Sequence, residues 1–300
     1  MQVDKRNGNV NYNDEFHQYW NDEGQKFISV TTLIGRFEQP FDQDFWSKYK
    51  ALERLIGSQK FAAMEKPRLL KSKKWDNSVL ELYDIDEVTF NSTQQDILDE
   101  WAKTNRESCE RGTKIHAAME KKFYSGASSY SLKSYGLGGK FVCKQNYTPL
   151  DLESAVYPEY LISRVSEDGH IRLAGQIDLL VKDGNDIYII DYKTNKELKM
   201  KSGYDPAAKK YAMMKFPLNN LMDCNFMHYT LQLSTYAWMI KKNNPQFNIK
   251  KLILVYFDHD GNVSTHEVEY LKNEVERMLS QYRKELIQEE RASKRKRIEF

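Results

Sequence analysis

Hydrophobic and polar positions along the chain switch repeatedly between a strand-like and a helix-like period. Near the N-terminus, His17 to Trp20 and Lys26 to Val30 flank the turn-like Asn21-Asp22-Glu23-Gly24, which predicts a hairpin. Ser92-Thr93-Gln94-Gln95 reads as a capping box opening a helix through Ile97, Leu98 and Trp101. A second helical stretch, or a continuation, runs from about Arg106 to Phe123, with Ile115, Ala118, Met119 and Lys122 at three- and four-residue spacings. From Glu159 the period becomes that of strands. Glu159 to Val165, Ile171 to Val181 and Asp186 to Tyr192 are rich in Ile, Val, Leu and Tyr, with Asp-Gly turns between them. A helix from about Met227 to Lys242, a strand at Leu252 to Phe257 and an amphipathic helix over Leu271 to Glu290 complete the pattern. Helix, three-stranded meander, helix and strand in that order predict an α/β fold with a central sheet flanked by helices.

No repeat and no Gly/Ser/Pro-rich linker divides the chain, so one domain with an extension is expected. The expected boundaries are an N-terminal extension of hairpin and helices over 1–91, a core over 92–290 and a basic tail over 291–300.

Composition narrows the function classes. The 300 residues carry a formal charge of +2, which names no partner, and 40% hydrophobic with 13% aromatic content excludes a disordered chain. The apolar runs, such as Leu252 to Phe257, fall far short of the ~18 residues of a membrane helix, so no membrane partner is expected. Residues 1–16 lack the apolar stretch of a signal peptide. Cys109, Cys143 and Cys224 are odd in number and far apart, against a disulfide framework or a zinc ribbon. A soluble cytoplasmic protein is expected. Charge is uneven, however. Residues 193–251 hold eleven lysines against three acids, a local footprint suited to a polyanion.

The turn Asp183-Gly184-Asn185-Asp186 carries most of the chemical information. With Gly184-Asn185 as a two-residue loop, Asp183 pairs with Asp186 and Asp178 faces Asp191 across the hairpin. Directly opposed side chains have Cβ atoms ~4.5–5.5 Å apart on one sheet face. Two acids inside the apolar strands IDLLV and YIIDY therefore need a proton or a cation between them. Strand alternation aims Lys193 at the same face. Two carboxylates beside an ammonium form a hard-cation site suited to Mg²⁺ or Mn²⁺. The competing reading is a salt-bridged sheet surface in which Lys193 neutralises one acid.

Four segments in order resemble the PD-(D/E)xK nuclease superfamily, in its RecB-like and phage-type exonuclease branch. Gly112-Thr113-Lys114-Ile115-His116 is similar to the branch's GxxxH helix, and Gly175-Gln176-Ile177-Asp178 to the strand with the first acid. Asp191-Tyr192-Lys193-Thr194 is similar to the (D/E)xK strand, and Gln232-Leu233-Ser234-Thr235-Tyr236 to the QxxxY helix. The resemblance spans about 92–257, and HQYW…SVTTLI resembles the opening of phage and mitochondrial-genome-maintenance exonucleases. It implies a restriction-endonuclease-like core with a mixed sheet. It also implies that Asp178, Asp191 and the Tyr192 carbonyl hold one or two divalent metals, with Lys193 positioning or deprotonating water or stabilising charge. His116 would add a ligand, against the plain reading of an exposed helix histidine near Glu120. Glu159 would supply a further acid, against that of a solvent-facing strand residue. Gln232 and Tyr236 share a helix face that borders the active site in this family. Ile177 stands where the family's name has proline. Iron–sulphur members carry four cysteines, so no cluster is expected here.

Lys193 opens a lysine-rich stretch with Lys196, Lys199, Lys201, Lys209, Lys210 and Lys215, interleaved with Tyr204, Tyr211 and Phe216. Such a run suits phosphate contacts and base stacking, whereas most lysine runs are solvated surface. Thr113 and Thr194 flank the catalytic motifs and are expected at the nucleic acid as well. The hydroxyls of Ser29, Thr31 and Thr32 read as helix caps. The expected function is a metal-dependent DNA exonuclease acting near single-stranded ends in phage-type recombination, replication or repair, with a helicase or a single-strand annealing protein as partner. The alternatives are an endonuclease on the same core, a non-catalytic DNA-binding scaffold and an RNA-directed nuclease.

Overall fold

The computed structural model describes residues 5–7, 10–13, 15–145, 147, 151–205 and 209–298. Along the chain run β1 (Lys5–Asn7), β2 (Val10–Asn13), β3 (Gln18–Trp20), β4 (Lys26–Ser29), α1 (Val30–Gly35), α2 (Gln43–Ile56), α3 (Ser58–Ser72), α4 (Ser78–Leu82) and α5 (Glu87–Phe123). Then come β5 (Tyr130–Ser131), β6 (Lys140–Phe141), β7 (Ala155–Val165), β8 (Arg172–Asp183), β9 (Asp186–Lys193), β10 (Tyr204–Asp205) and β11 (Lys210–Tyr211). Last are α6 (Asn225–Asn243), β12 (Asn248–Phe257), β13 (Val263–Val268) and α7 (Lys272–Ile298). The described residues form two compact units, one from 1–39, 112–204 and 210–300, the other from 40–111 and 205–209. Residues 1–4 of the expected extension and 299–300 of the expected tail lie outside the described residues.

The first unit is built on a mixed sheet in the order β1-β2-β3-β4-β8-β9-β12-β13, with β7 also paired to β8. This α/β architecture is the one the pattern predicts. The meander β7-β8-β9 is antiparallel, whereas β4 with β8 and β9 with β12 are parallel. Helix α6 packs its Leu231, Leu233, Ala237 and Ile240 into the main core with Leu180, Ile187 and Ile189. Those side chains are fully out of water, the burial that drives folding. The expected turn is present, with Asp183 paired to Asp186 and Gly184 at φ +58°. A positive φ at the first loop residue is what glycine tolerates at no steric cost.

One edge of β8 is divided, and this positions the site. Strand β7 pairs with β8 from Arg172 to Lys182, which occupies one edge throughout. The other edge serves β4 at Leu173 and Ala174 and then β9 from Leu179 to Asp183. Between those two pairings lie residues 175–178, the GQID motif, where β4 and β9 diverge and the sheet forks.

Several elements differ from the expectation. Helix α5 is continuous over 37 residues, so Ser92 is inside it and caps nothing. The helix starts earlier because Phe90 is buried in one cluster with Ile97, two turns on. Asp86 takes the capping role, its Oδ1 accepting from the Thr89 backbone N–H at 2.9 Å. Strand β7 begins at Ala155 rather than Glu159; Pro158 interrupts the strand signal yet pairs opposite Leu179. Edge strand β13 has Val268 as its one buried side chain, so the apolar pattern carries no trace of it. Helix α7 runs to Ile298 rather than ending near Glu290, so Arg291 to Arg297 of the basic tail are helical. Ser29 caps α1, its Oγ accepting from Thr32 N at 3.0 Å.

In the second unit, α2, α3, α4 and the first part of α5 enclose Phe45, Tyr49, Leu52, Phe61, Leu69 and Phe90. The two assignments of the α5 start are separable: Asp86→Ala should lower the thermal midpoint, whereas Ser92→Ala should leave it unchanged or raise it slightly by helix propensity. Circular-dichroism melts of both variants check this.

Candidate active site

Around the fork, residues from five elements line one cavity of about 550 Å³, among them His116, Glu159, Asp178, Asp191, Lys193, Gln232 and Tyr236. The β8–β9 ladder ends at Leu179 with Ile190, one step before the acids, so the register carries Asp178 opposite Asp191. Because the ladder has ended, the Tyr192 N–H is free of β8 backbone and donates instead to Asp178 Oδ2 at 2.6 Å. On the other side, the pairs Pro158 with Leu179 and Tyr160 with Ile177 put Glu159 opposite Asp178. Three acids therefore stand in a row on β7, β8 and β9. Glu159 has φ +50°, a left-handed conformation uncommon for a side-chain-bearing residue within a strand.

Helix α5 supplies the fourth side. Its His116 Nε2 lies 3.1 Å from the Tyr192 carbonyl and its Nδ1 3.5 Å from Asp178 Oδ1. Gly112, one turn earlier, allows the approach, since a Cβ there would sit 3.3 Å from Thr194 Oγ1. Burial disfavours the imidazolium, but the Asp178 carboxylate outweighs it and raises the His116 pKa to about 9. Desolvation likewise opposes the Asp178 charge, yet His116 and Lys193 hold its pKa below the usual carboxylate value.

Asp191 is 1% exposed and differently placed. Its Oδ1 accepts from Gln232 Nε2 at 3.1 Å, and its Oδ2 lies 2.7 Å from Lys193 Nζ. That Oδ2 is buried with no hydrogen bond of proper geometry, so a cation alone compensates it. Burial raises the Asp191 pKa to about 6; Lys193 opposes this and Asp178 adds to it. The Lys193 ammonium also sits 4.7 Å from the centre of the Tyr229 ring, whose hydroxyl bonds Asn195.

His116, Glu159 and Asp178 each offer a ligand atom, all within 4.8 Å of one another. Two carboxylates and an imidazole with an under-satisfied acid beside them fit a divalent cation of intermediate hardness. Asp191 is outside that group among the described residues, its oxygens turned to Gln232 and Lys193. The Tyr192 carbonyl is likewise taken up by His116.

Of the other expected residues, Thr113 lines the cavity and Thr194 abuts Gly112. Lys196, Lys199, Lys201, Lys209 and Lys210 are exposed and do not line it. Gln232 Nε2 also donates to the Tyr236 hydroxyl at 3.3 Å, so the QxxxY pair is one buried polar unit next to Asp191. Two features escaped the sequence reading. Gly175 is needed because a Cβ there would lie 2.5 Å from Tyr236 Cε1; a glycine three residues before an acid was the available signal. Tyr12, His17 and Tyr19 of the N-terminal strands join the cavity wall, which no local pattern announces.

A profile of the PD-(D/E)XK nuclease superfamily matches residues 140–300, more than half of the chain and all of the sheet fork from β7 onward. The chain belongs to the PD-(D/E)XK nuclease superfamily. Its fold is the restriction-endonuclease-like one of that superfamily, whose members use divalent metals. The RecBCD enzyme subunit RecB of Borreliella burgdorferi is 34% identical over 107 residues, which is 33% of this chain and 8% of that protein. The chain thus spans a small fraction of the length of this relative. Among solved structures, SSO0001 is similar at 16% identity and TM-score 0.35, over 66% of this chain and 69% of its own. A proposed exonuclease from Eubacterium rectale is similar at 11% identity and TM-score 0.29, over 87% of this chain and 79% of its own. No helix among the described residues is long and apolar enough to cross a membrane.

Two outcomes are expected of this site. Gly175→Ala should destabilise the protein by ~1–3 kcal/mol through overpacking against Tyr236, and Tyr236→Phe should not rescue it, because the close atom is Cε1 rather than the hydroxyl. Urea titrations of the single and double variants check this. Because His116 is charged at pH 7, metal entering between His116 and Asp178 must displace its proton. Apparent Mn²⁺ affinity should therefore rise with pH until it levels near pH 9, and His116→Gln should flatten that rise. Calorimetry across pH, in buffers of different ionisation enthalpy, measures both.

Proposed function

We propose that the nuclease is a divalent-metal-dependent DNA exonuclease that hydrolyses phosphodiesters at or near single-stranded ends, in phage-type recombination, replication or repair. The observation that carries this reading is the convergence of His116, Glu159 and Asp178 beside the buried Asp191–Lys193 pair. In this reading His116, Glu159 and Asp178 hold the cation, with Asp191 available to it once Lys193 turns toward substrate. A bound Mg²⁺ or Mn²⁺ supplies Lewis-acid polarisation of the scissile phosphate and acidifies an attacking water.

The chain's own residues do the rest. Asp191 and Asp178 both raise the Lys193 pKa against the desolvation that lowers it, so Lys193 is kept as an ammonium. It then stabilises charge building on the phosphate rather than taking a proton from water. Gln232 fixes Asp191 through Oδ1 and leaves Oδ2 facing the cavity side where Lys193 approaches. Water attacks phosphorus in line, the bond to the leaving sugar oxygen breaks, and that oxygen takes up a proton. Exposed Lys196, Lys199, Lys201 and Lys210, with the Tyr204–Tyr211 ring contact at 5.1 Å, offer a phosphate and base track leading away from Lys193. Lys209 and Thr194 are assigned to the same substrate by proximity in sequence to these groups, and Thr113 by its place in the cavity wall. A helicase or a single-strand annealing protein as partner is carried over from the resemblance to RecB-like and phage-type exonucleases alone.

The assay is end-labelled and covalently closed DNA with Mg²⁺, Mn²⁺ or chelator. Asp178→Asn and Lys193→Ala should each reduce cleavage about 100- to 1,000-fold, on the order of losing a charge-stabilising group, while DNA binding persists. Linear but not closed circular DNA should be degraded; equal cleavage of both would establish an endonuclease instead. Wild-type protein inert with either metal would support the scaffold reading.

A further inference from the structure

The cavity has an aromatic wall that the proposed hydrolysis does not use. Beside the acids, Tyr12, His17 and Tyr19 face the same space. Tyr12 and Tyr19 are buried, stacked with centroids 4.6 Å apart and planes at 23°, and seated on Leu161 and Ala174 of β7 and β8. His17, by contrast, is exposed. Its ring is held by the Tyr12 hydroxyl, 2.7 Å from Nδ1. Its backbone is held at φ +47°, a conformation that costs a side-chain-bearing residue free energy. Phe16, next to it, is 62% exposed. A strained backbone thus presents a flat ring, oriented by a buried tyrosine pair, at the edge of a cavity that holds the acid row.

Such a ring suits one kind of ligand. An exposed aromatic with a fixed plane stacks on a nucleobase, and an unpaired base offers a face that bases within a duplex do not. The cavity volume of about 550 Å³ falls within the ~300–1,000 Å³ typical of small-ligand sites, enough for a nucleotide beside the acids. We infer that His17, braced by Tyr12 and Tyr19, is the stacking platform for the unpaired base next to the scissile phosphate and so a determinant of preference for single-stranded ends. This inference rests on the nuclease reading. Tyr12 is a positioning residue that acts through His17.

The test uses a short single strand with 2-aminopurine as its terminal base, in chelator so that binding is read without cleavage. Wild-type protein should quench the 2-aminopurine, and both His17→Ala and His17→Gln should lose the quench and weaken binding about tenfold, the scale of one stacked base. His17→Phe should retain both, and the variants should bind blunt duplex within twofold of wild type. Unchanged quenching in His17→Ala, or retention in His17→Gln with loss in His17→Phe, would overturn stacking, the latter in favour of hydrogen bonding. Thermal melts confirm that each variant is folded, and His17→Gln carries the test if the alanine variant is not. A wild-type protein that cleaves DNA while His17→Ala binds normally refutes this platform alone. One that neither binds nor cleaves DNA refutes the nuclease reading beneath it.

Discussion

Asp191 is surrounded by β-sheet and α6 and is nearly out of contact with water, and a carboxylate so placed is among the costliest groups a fold can bury. Its register partner across the hairpin is another acid. The neighbourhood is organised to make that tolerable. Lys193 alternates onto the same face at two residues' distance, and Gln232 reaches down from α6 to the other oxygen. His116 comes from α5 to neutralise Asp178. Each partner belongs to a different element, so helix packing against the sheet and charge compensation are one constraint. Remove the acids and there is no evident reason for α5 and α6 to present a histidine and a glutamine to the sheet at this level.

The division of the β8 edge explains where this happens. A strand paired on both edges throughout would have no backbone groups to spare for side chains. Between residues 174 and 179 β8 has lost β4 and not yet gained β9, so an unpaired N–H on β9 turns to Asp178. The same gap admits the Tyr236 ring over Gly175, where no side chain could stand. Sites at a point where strands diverge are a general outcome of sheet topology, because the divergence opens a crevice lined by strand residues. Here it also leaves Glu159 in a strained conformation on the third strand, opposite the first acid.

Much of this was legible from residues alone, for identifiable reasons. The Asp183-Gly184-Asn185-Asp186 turn permits one register, and period-two alternation then determines which side chains share a face, so the Asp178–Asp191–Lys193 placement needed no tertiary information. Helix periodicity likewise put Gln232 and Tyr236 on one face. The Asp86 start of α5 was illegible because Ser92-Thr93-Gln94-Gln95 satisfies a local capping rule that the burial of Phe90 overrides. β13 was illegible because an exposed edge strand needs no apolar alternation. The Glu159 register depends on a strand interrupted by proline, and the reach of Tyr12, His17 and Tyr19 to the acids depends on parallel pairing of β4 with β8. Non-local pairings of that kind leave no periodic trace.

The charge cluster also bears on whether a scaffold could account for the fold. Apolar side chains of similar size would fill the space around Asp178, Asp191 and Lys193 at no desolvation cost, and replacing buried ion pairs in that way is often neutral or stabilising. A structural role alone is therefore a poor explanation for two opposed acids, a third in a strained backbone conformation, and an oxygen of Asp191 that has a cation near it but no proper hydrogen bond. An arrangement with an unmet requirement for positive charge, open to a cavity, is suited to receiving a cation from solution and to changing partners when it does. In the proposed function, a metal held at the acid row would take over the compensation that the ammonium provides, and Lys193 would then be able to leave Asp191 for a phosphate.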